Sequence, residues 1–412
     1  MKELLNSKII LILLASIITR IISVHLYGDD VVDNEWRILL ENLEQNKILS
    51  VRSVDGVPVP NIFMPPLYPL LLYAVKLFFN DPVIFLNVIK IIQLVLSILS
   101  IVIFLKILSV LFEEKIVVVG TLIYALFPLN IYSVSQISSV TLQMLLINIF
   151  LYCLIFFFNK INFKHGIYFS ISSALLILLR GEFFIFVLFS LFYLLIKKKK
   201  DIIKILGISF LILLVISPYL YRNYKIFGVI TITKSSGYNL LKGNHPHTKV
   251  EGTGMFKKVD KVIPDVKNQI DNLKSKGPIK KHDLIMDQIL LNQAIIYIKN
   301  DPIKYLNLYI KKFFSFLFID INSTYPNYYS FLHIFPKIIL SIGSLIGVFA
   351  ITRFKINIPN YFSLFYIFNI GLFSLFFILA RYSLFLLSIQ IILSIYGFTE
   401  IKKKFINSYE KN

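Results

Sequence analysis

Long apolar stretches recur along nearly the whole chain, and they limit its possible folds more than any other feature. A helix needs about 20 mainly apolar residues to cross a hydrocarbon core about 30 Å thick. The sequence contains about ten such stretches, near residues 8–27, 83–108, 116–133, 138–158, 166–180, 183–196, 204–221, 330–351, 360–379 and 382–400. The pattern predicts an all-α integral membrane protein in which residues 1–412 form a single polytopic domain.

The composition agrees with a membrane protein. Charged residues make up 16% of the chain and the mean hydropathy is +0.74, whereas soluble domains carry roughly 25% charged residues. This excludes an ordinary soluble enzyme. The formal charge of +20 comes largely from short Lys and Arg clusters between apolar stretches, where such residues set topology and meet anionic lipid. We therefore expect membrane lipid, and no nucleic acid, as the partner of this charge.

The basic clusters predict the orientation. An even number of spans places both ends of the chain on one side of the membrane, and basic clusters fall on that side at Lys2 and Lys8, Lys160 and Lys164, Lys197 to Lys200, Arg353 and Lys355, and Lys402 to Lys404. The positive-inside tendency makes that side cytoplasmic. We expect a multi-pass protein of a bacterial plasma (inner) membrane with both termini cytoplasmic. The first apolar stretch is long and no small-residue cleavage site follows it, so it is predicted as an uncleaved helix.

Two long segments, residues 28–82 and 222–329, then fall on the extracytoplasmic side. In the first, apolar residues recur at helical spacing over residues 33–43, which predicts an interfacial amphipathic helix. The apolar run 70–79 is too short to span and is predicted to be re-entrant or interfacial. In the second, residues 249–283 predict a mobile, solvated loop, and residues 284–318 regain a helical period that is broken at Asp301-Pro302.

Four carboxylates follow the first span within seven positions: Asp29, Asp30, Asp33 and Glu35. A carboxylate at this boundary can take a proton from an acceptor hydroxyl or hold a divalent cation beside a phosphate. The alternative is an ordinary helix start, where acidic residues cap the helix and favour its dipole.

Basic and polar side chains form the counterpart on the same face. Arg180, Arg222, Lys234 and Arg381 fall at the outer ends of predicted spans, where they either bind a lipid-linked phosphate or snorkel to the interface. The polar and aromatic run 236–246 suits sugar binding by hydrogen bonds and ring stacking, or is an ordinary turn. His245 and His247 have metal-ligand spacing, but no further ligand converges with them in the sequence.

Several motifs occur in the order found in one known group. They are Asp33-Asn34-Glu35-Trp36, Met64-Pro65-Pro66-Leu67-Tyr68-Pro69-Leu70, Phe127-Pro128-Leu129-Asn130, Leu179-Arg180-Gly181-Glu182, Ser217-Pro218-Tyr219, Arg222-Asn223-Tyr224, Gly237-Tyr238-Asn239-Leu240, Gly243-Asn244 and Arg381-Tyr382. In this set and order the chain resembles the GT-C type membrane glycosyltransferases related to protein O-mannosyltransferases and the lipid A aminoarabinose transferase. The resemblance implies a GT-C type helix bundle with extracytoplasmic amphipathic helices and one large outer loop.

The resemblance also implies an activity. Such enzymes transfer a sugar from a polyprenyl-phosphate carrier to a lipid, glycan or protein acceptor on the extracytoplasmic side, without a nucleotide and with a divalent metal ion optional. It implies Asp33 as the catalytic residue and Glu35 as the second candidate, with Asp29 or Asp30 if the loop register differs. The implied substrate-binding residues are Arg37, Arg180, Glu182, Arg222, Lys234, Asn239, Asn244, Arg381 and Tyr382. The chain departs from the pattern at Ser138-Ser139-Val140-Thr141 and at Arg180-Gly181-Glu182.

Other classes of membrane protein remain as alternatives. A transporter or flippase of lipid-linked glycans is also polytopic and basic, but it carries ionisable or broken-helix features near mid-membrane, often with internal symmetry. Here the polar residues concentrate at one face. An O-antigen ligase or polymerase shares the donor and the compartment, but the early acidic helix argues against it. A structural membrane subunit is the remaining alternative.

Overall fold

A computed structural model of the protein describes residues 7–32, 34–159, 161–251, 264–320, 322–323, 331–351 and 357–409. Its α-helices in chain order are α1 (Ser7–Tyr27), α2 (Asn34–Asn46), α3 (Leu67–Lys76), α4 (Pro82–Leu111), α5 (Glu114–Leu126), α6 (Pro128–Ser135), α7 (Val140–Asn159), α8 (Phe163–Leu179), α9 (Phe183–Lys197), α10 (Ile202–Phe227), α11 (Ser236–Gly243), α12 (Pro264–Lys274), α13 (His282–Asn300), α14 (Pro302–Leu317), α15 (Phe331–Ile351), α16 (Asn357–Ser374) and α17 (Leu387–Tyr409). Two 3₁₀ helices cover Lys199–Asp201 and Ala380–Leu386.

Each predicted span overlaps a helix, which confirms an all-α integral membrane protein. In the described part of the chain, 6 helices are long and apolar enough to cross a membrane, and up to 7 if the bent pair α5 and α6 is one span. The remaining predicted spans correspond to α8, α9 and α16, which have 17, 15 and 18 residues. Many large apolar side chains of the longer helices are exposed, as lipid-facing residues are.

A bend of 44° separates α5 from α6, and a buried arginine stabilises it. Pro128 begins α6 and has no N–H group, so the carbonyl groups that end α5 need other donors. The guanidinium of Arg20, which is fully buried in α1, donates to the carbonyl of Ala125 at 2.9 Å and to Ser97 Oγ at 2.7 Å. Arg20 therefore ties α1 and α4 to the end of α5.

A polar contact inside the bundle joins four helices. The side-chain amide of Asn148 in α7 donates to Ser100 Oγ at 3.0 Å and to the Tyr124 hydroxyl at 2.9 Å, and its oxygen accepts from Ser388 at 2.6 Å. All four groups are buried. Hydrogen bonds of this kind fix helices against one another where no hydrophobic driving force does so.

The segment between α1 and α4 agrees only in part with its prediction. The amphipathic helix is present as α2, with Leu39, Leu40 and Leu43 buried, and the short apolar run is α3. A hairpin was not predicted: β1 (Arg52–Val54) pairs antiparallel with β2 (Val57–Val59). Its turn, Asp55-Gly56, has φ values of 50° and 78°, the signs that a two-residue type I′ turn requires.

The prediction of a mobile loop over residues 249–283 is wrong for part of that range. Residues 264–274 form α12, whose Val266 and Leu273 are buried against Leu241 of α11 and Met286 of α13. With Ile270, which packs against the same cluster, these positions follow an i, i+4, i+7 pattern and give α12 one apolar face. Residues 252–263 lie outside the described part of the chain. The predicted break at Asp301-Pro302 does separate α13 from α14.

Candidate active site

Four short segments meet at the end of the bundle that carries α2, α11 and the hairpin, which we call the loop end. They are the first turn of α2 with Glu35, the turn after α8 with Arg180 and Glu182, helix α11 with Tyr238 and Lys242, and the segment 376–382 with Phe377, Arg381 and Tyr382. We call the eight side chains named in this list the loop-end cluster.

Arg180 is fixed on two sides within the cluster. Its Nε lies 2.6 Å from Glu182 Oε1, and its Nη1 donates to Gln143 Oε1 at 3.1 Å. The guanidinium carbon lies 5.2 Å from the centre of the Tyr382 ring, a cation–π distance. Arg381 approaches the same ring at 6.0 Å. Tyr382 therefore has a cationic group from two different segments beside it.

Lys242 faces the cluster from α11. Its Nζ lies 4.0 Å from the centre of the Phe377 ring and 5.7 Å from that of Tyr238. Burial lowers the pKa of Lys242, Glu35 opposes that shift, and the positive charge of Arg381 lowers the pKa further. Lys242 is thus close to one carboxylate and one guanidinium, in partly apolar surroundings where an incoming anion is bound strongly.

Tyr238 connects the cluster to the hairpin. Burial, followed by the negative charge of Glu35, raises the pKa of Tyr238 to about 12. Its ring meets that of Phe63 edge to face at 5.0 Å, and the guanidinium carbon of Arg52 lies 5.2 Å from the centre of the Phe63 ring. The phenol stays protonated near neutral pH and is a donor for a substrate oxygen.

Helix α11 has only 8 residues, and contacts with neighbouring segments fix its position. Asp287 of α13 accepts a hydrogen bond from the Tyr238 amide at 3.0 Å, and burial raises the pKa of this carboxyl. A Cβ on Gly237 would lie 2.0 Å from the Asp287 carbonyl oxygen, and a Cβ on Gly243 would lie 2.5 Å from the Phe376 carbonyl carbon. Both glycines therefore permit backbone contacts that no side chain allows.

The far end of α11 is fixed by a buried lysine. Lys312 of α14 is fully buried and its Nζ donates to the Gly243 carbonyl at 2.5 Å and to Asn244 Oδ1 at 3.2 Å. A cation at this position favours the helix dipole and satisfies a terminal carbonyl group. Burial lowers the pKa of Lys312 to about 7.

Two of the predicted phosphate-binding residues lie outside the loop-end cluster, at the loop of residues 61–63. Arg222 Nη1 donates to the Asn61 carbonyl and to Asn223 Oδ1, both at 2.7 Å. The Lys234 amide donates to the Ile62 carbonyl at 2.8 Å. Arg222 and Lys234 thus anchor this loop. The loop includes Phe63, whose ring contacts that of Tyr238.

The other predicted residues have varied positions. Asp33 lies outside the described residues. Asp29 Oδ2 accepts from the Ile137 amide at 2.6 Å, and Asp30 is exposed. Arg37 is exposed and pairs along its own helix with Glu41 at 3.8 Å.

The two asparagines of the predicted site bind backbone groups. Asn239 Nδ2 donates to the Ser235 carbonyl at 2.9 Å, while its own carbonyl accepts from the Phe377 amide at 3.1 Å. Asn244 Nδ2 donates to the carbonyls of Leu240 and Leu375, both at 2.8 Å. These contacts join α11 to the segment that carries Arg381, so both residues shape the cluster.

Sequence reasoning missed Lys242 and Asp287. Lys242 follows Tyr238 by four residues in a polar run that was singled out for sugar binding, and this i, i+4 spacing places both side chains on one helix face. That signal was available. Asp287 gave none, because it lies on a helix whose contact with α11 exists only in the fold.

A metal site does not form among the described side chains. In that part of the chain, no three His, Cys, Asp or Glu residues are placed to hold an ion. His245 Nδ1 accepts from the His247 amide at 3.2 Å, which occupies one of the two ring nitrogens of His245. Burial lowers the pKa of His245 to about 4, and His247, Lys312 and Lys304 add to that shift.

The architecture is similar to that of a known membrane enzyme, the oligosaccharyltransferase of Archaeoglobus fulgidus. Its structure with zinc and sulfate matches 97% of this chain and 49% of that chain with a TM-score of 0.56 and 14% identity. Its structure tethered to an acceptor peptide that contains the NVT sequon matches 96% and 50% with a TM-score of 0.55 and 15% identity. Its apo form matches 98% and 51% with a TM-score of 0.52 and 13% identity.

These matches define the fold class. The protein is an integral membrane protein with a GT-C type helix bundle, as expected from the order of its motifs. The chain spans about half the length of the oligosaccharyltransferase it matches. No protein-family model matches the chain, and no curated protein matches it by sequence.

Proposed function

We propose that this protein is a glycosyltransferase of the hexosyltransferase type. It transfers a sugar from a polyprenyl-phosphate carrier to a lipid, glycan or protein acceptor on the extracytoplasmic side of the membrane. The observation that carries the proposal is Lys242, whose ammonium group lies beside the rings of Phe377 and Tyr238 and feels the charges of both Glu35 and Arg381. The GT-C type bundle supports it.

The reaction we propose is a single displacement at the anomeric carbon. The acceptor oxygen forms the new glycosidic bond while the bond from that carbon to the phosphate oxygen breaks, and the lipid phosphate leaves with the bonding electrons. A carboxylate of the α2 start takes the acceptor proton. Asp33 is the first candidate from the resemblance, and Glu35 is the described carboxylate whose charge acts on both Lys242 and Tyr238.

The cations of the cluster have a matching role. Charge grows on the phosphate oxygens as the bond breaks, and Lys242 and Arg381 are placed to offset it. Arg180 is held by Glu182 and Gln143 and presents its guanidinium to Tyr382. The rings of Tyr238, Phe377 and Tyr382 provide flat apolar walls of the kind that bind sugar rings, with hydroxyl groups for orientation.

The test is sugar transfer by the purified protein in lipid nanodiscs, with a defined set of radiolabelled polyprenyl-phosphate sugars. We expect Asp33→Asn or Glu35→Gln to reduce turnover strongly, and Lys242→Ala to reduce it as well. Glu44→Gln is the matched control, because Glu44 is an exposed carboxylate on the same helix. If no donor supports turnover by the wild type, the transporter or flippase alternative gains weight.

The side of the membrane is tested separately. Cys153 is buried and should react little with a membrane-impermeant maleimide. Labelling then reports on a single introduced cysteine. A cysteine in place of exposed Glu44 should label in intact cells, whereas one in place of exposed Lys200 should label only after lysis. The reverse pattern would contradict the proposed orientation.

A further inference from the structure

A cavity separate from the loop-end cluster lies between the β1–β2 hairpin and the helices α12 and α13. It has a volume of about 410 Å³ and is lined by Arg52, Ser53, Val54, Asp55, Lys274, His282 and Met286. We call it the hairpin cavity. Its volume falls within the roughly 300–1,000 Å³ typical of small-molecule sites. It shares no residue with the loop-end cluster, although Arg52 and Tyr238 both contact the ring of Phe63.

His282 is the unusual residue of this cavity. Its side chain is 3% exposed, and neither ring nitrogen has a hydrogen-bond partner among the described residues. Asp283 Oδ1 lies 4.0 Å from Nδ1, which is beyond hydrogen-bond distance. A buried polar group without a partner is costly, and a native protein that keeps one often has a ligand for it. The imidazole forms part of the cavity wall with both nitrogens buried, so a group bound there could become their partner only after a shift of the ring.

The charges around the cavity favour an anion. His282 begins α13, where free N–H groups and the helix dipole attract negative charge. Lys274 lines the cavity, and the loop that follows it contains Lys276, Lys280 and Lys281 and no acidic residue. Asp55 at the hairpin turn is the acidic lining residue and is exposed.

Asp283 fixes the arginine of the cavity. Its Oδ2 accepts from the Ile62 amide at 3.3 Å, and its Oδ1 lies 3.6 Å from Arg52 Nε. The carboxylate therefore offsets part of the charge of Arg52 and holds its guanidinium over Phe63. Lys274 is exposed and forms no ion pair among the described residues, so a ligand can meet this cation without breaking one.

We propose that the hairpin cavity binds a phosphate-type anion, carried by a membrane-lipid headgroup or by a phosphorylated glycan. A tetrahedral anion accepts hydrogen bonds from several directions at once. It fits a site in which an arginine, a lysine, an imidazole and a helix start surround one space. The inference does not rest on the proposed transfer reaction, because binding to this cavity needs no sugar donor.

The experiment measures ligand-dependent thermal stability of the full chain in phosphatidylcholine nanodiscs. The probes are inorganic phosphate, glycerol 3-phosphate and glucose 1-phosphate, each compared with chloride at equal ionic strength. We expect each probe that binds to raise the unfolding midpoint in a saturable way. Lys274→Ala should raise the apparent Kd at least tenfold, and Lys274→Glu should abolish the shift.

Lys267→Ala is the matched control, because Lys267 is an exposed lysine on the same helix that does not line the cavity. It should bind as the wild type does. Tighter binding of glycerol 3-phosphate, with loss of the effect when phosphatidylglycerol is added to the nanodisc, supports the site and assigns a lipid headgroup. Tighter binding of glucose 1-phosphate supports it and assigns a glycan. Equal shifts with chloride, or equal affinity in the Lys274 variants and the wild type, would overturn the proposal.

Discussion

Asp287 accepts a hydrogen bond from the backbone amide of Tyr238 at 3.0 Å, across 49 positions of sequence. A carboxylate on α13 therefore caps the first turn of α11, the helix that carries Tyr238 and Lys242 into the loop-end cluster. Capping of this kind is worth roughly 0.5–2 kcal/mol. We expect Asp287→Ala to lower the free energy of unfolding by about that amount and to raise KM for the donor. Asp287→Asn keeps an acceptor oxygen and should restore most of both, as denaturant unfolding and transfer assays would show. Equal behaviour of the Ala variant and the wild type would mean that α11 is fixed by packing alone.

Two glycines give a matched pair of substitutions. In Gly243→Ala the new Cβ would lie 2.5 Å from the Phe376 carbonyl carbon and 2.6 Å from the Phe377 nitrogen. The backbone has to move, so we expect a loss of roughly 1–3 kcal/mol in the free energy of unfolding. In Gly207→Ala nothing lies within 4 Å of the new atom, and replacing a helical glycine by alanine should be neutral or stabilising by up to about 1 kcal/mol. Urea unfolding of both variants tests the contrast, and equal losses would contradict it.

Lys242 should matter for turnover more than for stability. Its ammonium is close to Glu35, Arg381 and two aromatic rings, but it donates no hydrogen bond that fixes the described backbone. We expect Lys242→Ala to reduce kcat/KM for transfer by about 10- to 100-fold, since a donor placed at developing charge contributes on that scale. The unfolding midpoint should change little. Lys311→Ala removes an exposed lysine of α14 and should leave kcat/KM unchanged; a similar loss in both variants would point to bulk electrostatics.

The stability of the protein should depend on pH through Lys312. Burial lowers the pKa of Lys312 from 10.5 to about 7, so between these values the unfolded chain binds a proton that the folded chain does not. Stability therefore rises with pH across that window and loses this contribution as pH falls through about 7. The measurement is the free energy of unfolding against pH for the wild type and Lys312→Met. The difference between the two should slope upward from pH 7 to 10, and parallel curves would show that Lys312 remains charged in the fold.

The helical fold could be predicted because each apolar stretch reports its own secondary structure through its length and composition. The hairpin also had a local signal, Asp55-Gly56 between apolar residues, which the prolines that follow it obscured. Helix α12 was missed because its apolar face is only three residues, Val266, Ile270 and Leu273, in a segment rich in Lys, Asp and Asn.

The candidate site was harder to predict than the fold. Arg180 and Arg381 were singled out because ionisable groups beside apolar stretches are conspicuous, and Tyr382 because of the resemblance; both guanidinium groups lie beside the Tyr382 ring. Arg222 carries the same sequence signal, but its guanidinium donates to the Asn61 carbonyl. Lys234 bonds the Ile62 carbonyl through its backbone amide. No local pattern separates a side chain that faces a ligand from one that binds a carbonyl group, since that difference is set by contacts between distant segments.

The position of Arg20 has a consequence for how the chain enters the membrane. On its own, α1 would place a guanidinium in hydrocarbon, at a cost of about 2.5–3.5 kcal/mol on insertion scales. Its partners Ser97 and Ala125 are supplied by α4 and α5, which leave the ribosome later. Helix α1 is therefore completed only by helices made after it, so the biogenesis of this part of the bundle is a joint event of α1, α4 and α5 rather than a sequence of independent insertions.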